Sequence, residues 1–295
     1  MNGMDKLKIS AAMFIFGTIG VFTKYIPLPS SVLAMLRGAI GFAFLLPVAC
    51  LTGNRPSLAA IRRNLPLLLL SGAALGVNWI FLFEAYRHTT VAIAILCYYM
   101  QPVIVILLSP LLLKERLTGK KLVCVGVALV GMLLISGVLQ DGLTGTRGIV
   151  MGLVAAVFYS VVVFCNKFLQ DIASYDCTIV QLGVAAVVLL PYTLLNERVD
   201  LAVVTPVVVI LVLVVGIVHT GIAFALYFGG VQNLAGQTIA IISYIDPASA
   251  ILLSVFVLRE PMDLAGIIGA VLILGSTLVS ELEHKPKKSL CREER

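Results

Sequence analysis

The sequence predicts an all-α integral membrane protein of ten transmembrane helices, built as two inverted five-helix repeats. Three observations predict it. Of 295 residues, 60% are hydrophobic and 12% charged, with a mean hydropathy of +1.07, whereas a soluble domain carries about 25% charged residues. The apolar residues fall in successive runs of bilayer length, roughly 20 residues for a hydrocarbon core of about 30 Å. The two halves of the chain also repeat one another.

In order, the runs cover residues 9–26, 31–51, 65–86, 91–113, 122–138, 149–169, 178–195, 206–228, 238–258 and 264–280. Lys6 and Lys8 precede the first run as they would in a signal peptide, but no small-residue cleavage site ends it, so it reads as span 1. Sorting basic residues by loop parity puts fifteen of the 21 on one side and five on the other, Lys24, Arg87, Arg147, Arg198 and Arg259, with Arg37 inside span 2. Positively charged loops stay in the cytoplasm, so both termini are expected in the cytoplasm. The same scatter argues against a nucleic-acid partner despite a formal net charge of +6, because the basic residues form no single face. The six cysteines lie mostly inside apolar runs without metal-ligand spacing and read as packing residues. No metal or cofactor is expected.

The repeat emerges at an offset of 143 to 145 residues: Lys24 falls on Lys167, Phe16 on Tyr159, Leu46-Pro47 on Leu190-Pro191, Tyr99 on Tyr244, Pro102 on Pro247, and Lys114-Glu115 on Arg259-Glu260. Five spans per half is an odd number, so the second copy enters the membrane upside down. Inverted repeats build a binding site at their interface and can expose it to either side in turn. The expected divisions are residues 1–140, residues 141–283 and a basic cytoplasmic tail, 284–295.

Phe16-Gly-Thr-Ile-Gly20 in span 1, Gln101-Pro102 followed by Leu111-Leu-Leu-Lys-Glu115 closing span 4, and Asp246-Pro247 with Arg259-Glu260 in span 9 recur in order and in duplicate. In these features, over almost its whole length, the chain resembles the drug/metabolite transporter superfamily, specifically its EamA-type ten-helix members. The resemblance implies a central cavity lined mainly by spans 1 to 4 and 6 to 9, with spans 5 and 10 peripheral. It implies no particular substrate, since members move amino acids, nucleotide precursors, drugs and other metabolites.

A charge inside the bilayer costs about 2.5 to 3.5 kcal/mol on insertion scales, so it normally faces a cavity or a partner. Arg37 in span 2 and Glu84 in the last turn of span 3 lie at similar depths from one end and are expected to pair, or to share a zwitterionic solute. A structural ion pair or interfacial snorkelling is the alternative. Their repeat-mates, Gln181 and Gly229, are uncharged, so a site here is asymmetric. Pro102 and Pro247 each remove an amide donor near mid-span and are expected to kink or unwind the helix beside the polar Gln101 and Asp246. His219 on span 8 lies near the depth of Asp246, which makes the two the candidates for proton coupling. Trp79, Tyr98, Tyr99, Tyr159 and Tyr244 supply rings that can sandwich an amphipathic solute while offering a hydrogen bond. Lys24 and Lys167 read as helix-end or snorkelling lysines, and Glu115 and Glu260 as interfacial anchors or gate contacts. Intramembrane glycines, Gly17, Gly126, Gly131 and Gly269 among them, let helices approach closely.

These features point to a secondary transporter for a small metabolite, an amino acid or similar amphipathic solute, exported across the cytoplasmic membrane by alternating access with proton coupling. The bilayer and a small-molecule solute are the expected partners, and the unit is a monomer or a homodimer. The rival is a membrane-embedded enzyme acting on a lipid-like substrate. Its chemistry would leave marks that are missing: a His-Glu-x-x-His helix, a Gly-x-Ser-x-Gly turn, a phosphate-cradling glycine loop or paired intramembrane aspartates.

Overall fold

A computed structural model describes residues 2–282, apart from 54–55, 115–116, 136–145, 232–233 and 235. Glu115, the end of the fifth run, the 140/141 division and the tail 284–295 lie outside the described residues. Every element among those residues is helical. By length and composition seven stretches can cross a bilayer: Gly3–Lys24, Ser30–Leu51, Leu65–His88, Val91–Leu112, Thr146–Phe168, Ser174–Asn196 and Pro206–Val231. Two shorter apolar helices follow, Ile241–Phe256 and Leu264–Ser280, and Gly119–Ile135 is a further apolar helix of 17 residues. Large apolar side chains such as Val187 and Leu194, 69% and 73% exposed, cover the outside. Hydrocarbon accommodates such a surface and water does not.

The helices are α1 (Asn2–Lys24), α2 (Ser30–Leu51), the short α3 (Leu58–Arg63), α4 (Leu65–His88), α5 (Val91–Tyr98), α6 (Gln101–Leu112), α7 (Gly119–Ile135), α8 (Thr146–Phe168), α9 (Ser174–Asn196), α10 (Pro206–Gly216), α11 (Ala223–Val231), α12 (Gly236–Ser243), α13 (Ile245–Phe256) and α14 (Leu264–Leu282). Their starts follow ordinary capping chemistry. Thr90 accepts a hydrogen bond from Ile93 N at the start of α5, and Thr205 accepts one from Val208 N ahead of Pro206 at the start of α10.

Of the expected kink or unwinding at the mid-span prolines, the helices show a break. The fourth run breaks at Tyr99, and α6 then starts with Pro102 in its first turn. The ninth breaks at Tyr244, and α13 carries Pro247 in its first turn. A proline there surrenders an amide that has no intrahelical acceptor in any case, so each proline starts a new segment rather than bending a continuous one. Lys114 and Arg259, repeat-mates in the sequence, share a left-handed backbone, φ 54° and 55°. Nothing in the residue pattern marks the π-helical turn Ile217–Ile222 between α10 and α11, where Thr220 Oγ1 donates to the Val215 carbonyl five residues back at 3.1 Å.

Packing sets the cavity. α4 lies along α8 and against α9, α9 also lies along α2, and α1 lies against α11 and α13. α7 and α14 form a separate tight pair: a Cβ on Gly131 would stand 2.8 Å from the Gly269 carbonyl oxygen, so only glycine allows the two backbones to meet. At one end of the bundle Asn64 and Gln170 bond each other twice, Nδ2 to carbonyl at 2.8 Å and amide to Oδ1 at 2.9 Å, beside an Arg63–Asp171 ion pair.

Candidate functional site

A cavity of about 320 Å³ opens between α1, α2, α4, α5, α6, α8, α11, α12 and α13. It brings together eight of the expected residues, Arg37, Trp79, Tyr98, Tyr99, Gln101, Pro102, Tyr159 and Asp246. Phe16, Tyr86, Phe224 and Ser243 also line it, with Ile19, Leu75, Leu82 and Ile95 as its aliphatic wall.

Arg37 is buried. Its Nε donates to Thr220 Oγ1 at 2.9 Å, and its guanidinium lies over the Trp79 ring, 4.2 Å from the centroid. A planar, weakly hydrated cation suits an aromatic face. The π turn supplies the partner, because it carries Thr220 to α2 at a point where Gly41 leaves room for the threonine methyl. Among the described residues neither terminal guanidinium nitrogen has a protein hydrogen-bond partner.

The expected Arg37–Glu84 pair does not form. Glu84 Oε2 accepts from Ser30 Oγ at 2.8 Å, and Oε1 lies 3.0 Å from His88 Nε2. The reason is helical register. Ser30 opens α2 and meets Glu84 near the end of the antiparallel α4, so Arg37, seven residues along, lies about 10 Å deeper and meets the neighbourhood of Trp79 instead. Glu84 therefore belongs to an outlying pocket of about 370 Å³ that also holds Arg87 and Glu197.

The charge opposite Arg37 in the cavity is Asp246, whose Oδ2 accepts from the Tyr99 hydroxyl at 3.0 Å. Tyr98 packs on both Tyr99 and Tyr159, at centroid separations of 6.2 and 5.3 Å. Tyr244 stands behind this layer and donates to Thr277 Oγ1 at 2.9 Å. The Gln101 carbonyl accepts from Ser160 Oγ at 3.4 Å. His219 does not line the cavity with Asp246: Nε2 lies 2.8 Å from Thr18 Oγ1, Nδ1 lies 3.3 Å from the Val214 carbonyl, and the ring packs edge-on against Phe22. Gln181, at the repeat position of Arg37, donates to Ser71 and Asn166 at 2.7 Å each. Among the described residues no group of three or more His, Cys, Asp or Glu could hold a metal ion.

Tyr86, which lines the cavity, and Thr220, which holds Arg37 from behind it, escape the sequence reading. Tyr86 ends the third apolar run and reads as a boundary, and Thr220 follows a histidine that draws the attention. No spacing signal marks either.

Helices of bilayer length with a lipid-compatible exterior, surrounding a solute-sized cavity with opposite charges, define a polytopic membrane protein of the transporter class. Sequence comparison gives the particular family. The profile of the EamA-like transporter family matches residues 7–137 and again 146–281, and the chain belongs to that family, within the drug/metabolite transporter superfamily. It is 30% identical over 292 residues to a Bacillus subtilis (strain 168) protein named uncharacterized transporter YxxF, spanning 97% of this chain and 92% of the relative. It is 25% identical over 265 residues to protein PecM of Dickeya dadantii (strain 3937), 89% and 86% of the two chains. A solved crystal structure 23% identical to it superposes with a TM-score of 0.65 over 94% of this chain and 96% of its own, a likeness of fold.

Proposed function

We propose that the protein is a secondary transporter that exports a small metabolite, an amino acid or similar amphipathic solute, across the cytoplasmic membrane by alternating access. One observation carries the reading: Arg37 and Asp246, of opposite charge, line the same aromatic cavity. A zwitterion presents a carboxylate and an ammonium that suit those two groups, and the aliphatic and aromatic wall suits its apolar part. Membrane-embedded charge is retained where it meets solute or ions.

The proposed frame is ten spans in two inverted halves, with both termini cytoplasmic. The tandem family matches, the two broken helices and the fifteen-to-five distribution of basic residues support it. Asp246 is the proposed proton carrier, being the one carboxylate among the described residues that line the cavity.

The test is flux in proteoliposomes of the purified full-length protein, loaded with amino acids and assayed for efflux and uptake. Arg37→Ala should insert and purify yet lose at least about tenfold in transport of carboxylate-bearing solutes, and Arg37→Lys should restore it only in part, because an ammonium lacks the bidentate fork. Wild-type flux in Arg37→Ala would remove this cavity from the transport path.

A further inference from the structure

Tyr86 is 1% exposed, and its hydroxyl is a buried side-chain oxygen with no hydrogen-bond partner among the described residues. Its ring is a wall shared by two spaces: the central cavity that holds Arg37 and Asp246, and a vestibule of about 270 Å³ bordered by Lys24, Ser30 and Arg87. An orphaned buried hydroxyl costs its full desolvation, and a phenylalanine of the same shape would avoid that cost. Packing therefore does not explain the oxygen.

We propose that Tyr86 is a specificity-determining residue, and that its hydroxyl donates to a carboxylate of the transported solute held on the Arg37 guanidinium. This rests on the reading of the cavity as the transport site. Thr220 occupies Arg37 Nε and Trp79 covers one face of the guanidinium, so the terminal nitrogens are the groups that remain for an anion. Arginine brings only donors, and the Tyr86 oxygen takes none of them. A carboxylate oxygen can accept from both at once. An amine in its place offers no acceptor, and an amide offers one neutral carbonyl oxygen while turning an N–H toward the remaining donors, so the pair selects for the carboxylate more sharply than the apolar wall selects for size. Asp246, with Tyr99 on one oxygen, stands in the same cavity for the ammonium end.

The experiment uses the full-length protein in detergent and three probes alike in their aliphatic part: leucine, leucinamide and isopentylamine. Binding is read from ligand-induced thermal stabilisation across a concentration series. Wild type should prefer leucine to leucinamide. Tyr86→Phe should melt, without ligand, at or above the wild-type temperature. It should lose about tenfold to a hundredfold in leucine affinity, the range for a hydrogen bond to a charged group, and little for leucinamide or isopentylamine. A merely structural role would move all three probes together. Equal losses for leucine and leucinamide, an unchanged leucine affinity, or a wild-type protein that does not favour the carboxylate would each overturn the assignment. Arg37→Ala run in parallel separates the two levels. If it loses leucine while Tyr86→Phe does not, only the role of Tyr86 falls; if neither changes, the cavity reading falls with it.

Discussion

Lys24 Nζ lies 2.8 Å from Glu260 Oε1, joining the last residue of α1 to the turn that follows α13. The same carboxylate accepts, through Oε2, from Val91 N at 2.7 Å and Ser254 Oγ at 2.6 Å, while Lys24 also donates to the Thr89 carbonyl at 3.2 Å. One glutamate thus ties α1, the positive N-terminal end of α5 and the end of α13, helped by the left-handed Arg259 before it. Lys24 is an ion-pair partner here rather than a snorkelling lysine.

The pair is partly buried, with side chains 27% and 14% exposed, so its loss should be measurable. Glu260→Gln is expected to destabilise the protein by about 1–3 kcal/mol, since it leaves Lys24 without its counter-charge. Lys24→Met should cost a similar amount, and the double variant less than the two together by at least about 1 kcal/mol. Denaturation of the purified variants in detergent measures the coupling. Strict additivity would mean that the contact holds nothing together.

Such contacts mark the boundary of what the sequence conveys. The apolar runs convey helices because each run must close its own backbone hydrogen bonds in lipid. Tyr98, Tyr99, Gln101 and Asp246 are legible as candidate-site residues because prolines flag their neighbourhood, and Tyr159 because it falls on Phe16 in the repeat. Arg37 is legible as a charge but not in its partnership, because which α4 residue faces it depends on where two helices begin, and Ser30 sets that register through Glu84. The Thr220 contact is illegible, because it depends on a π turn that carries no residue signature.

Gly17 tests whether close helix approach shapes the cavity. A Cβ there would stand 1.9 Å from Ser249 Oγ and 2.5 Å from the Asp246 carbonyl oxygen, against backbone that cannot swing aside. Gly17→Ala should therefore destabilise by about 1–3 kcal/mol through overpacking, and it should weaken transport by pushing α13, with Asp246, away from α1. Gly126 on α7, by contrast, faces open space, since a Cβ added there would meet nothing within 4 Å. Gly126→Ala should be neutral, or stabilise by up to about 1 kcal/mol through helix propensity. Melting temperatures and flux of the two variants, compared side by side, decide it; equal effects would mean that close approach at Gly17 does not shape the cavity.

The last prediction separates two groups that sequence position alone makes equal. Asp246 and His219 are both intramembrane titratable residues, yet only Asp246 lines the cavity, where water and solute can exchange a proton with it. His219 is 1% exposed and committed to Thr18, to the Val214 carbonyl and to the edge of Phe22. A proton carrier needs alternating access to both sides, and a group fixed by neighbours on every side lacks it. Asp246→Asn should therefore impair accumulation driven by an imposed pH gradient more than solute exchange at equal pH, because the amide keeps the volume and a hydrogen bond to Tyr99 but can neither release a proton nor offer a full charge to the solute's ammonium. It should also flatten the dependence of flux on pH. His219→Gln should retain gradient-driven transport and its pH profile, and lose stability by about 1–3 kcal/mol as buried partners are left unpaired. Proteoliposome flux with and without the gradient, combined with thermal melting, reads both variants. Intact coupling in Asp246→Asn together with lost coupling in His219→Gln would reverse the assignment and move the proton path to the π turn between α10 and α11.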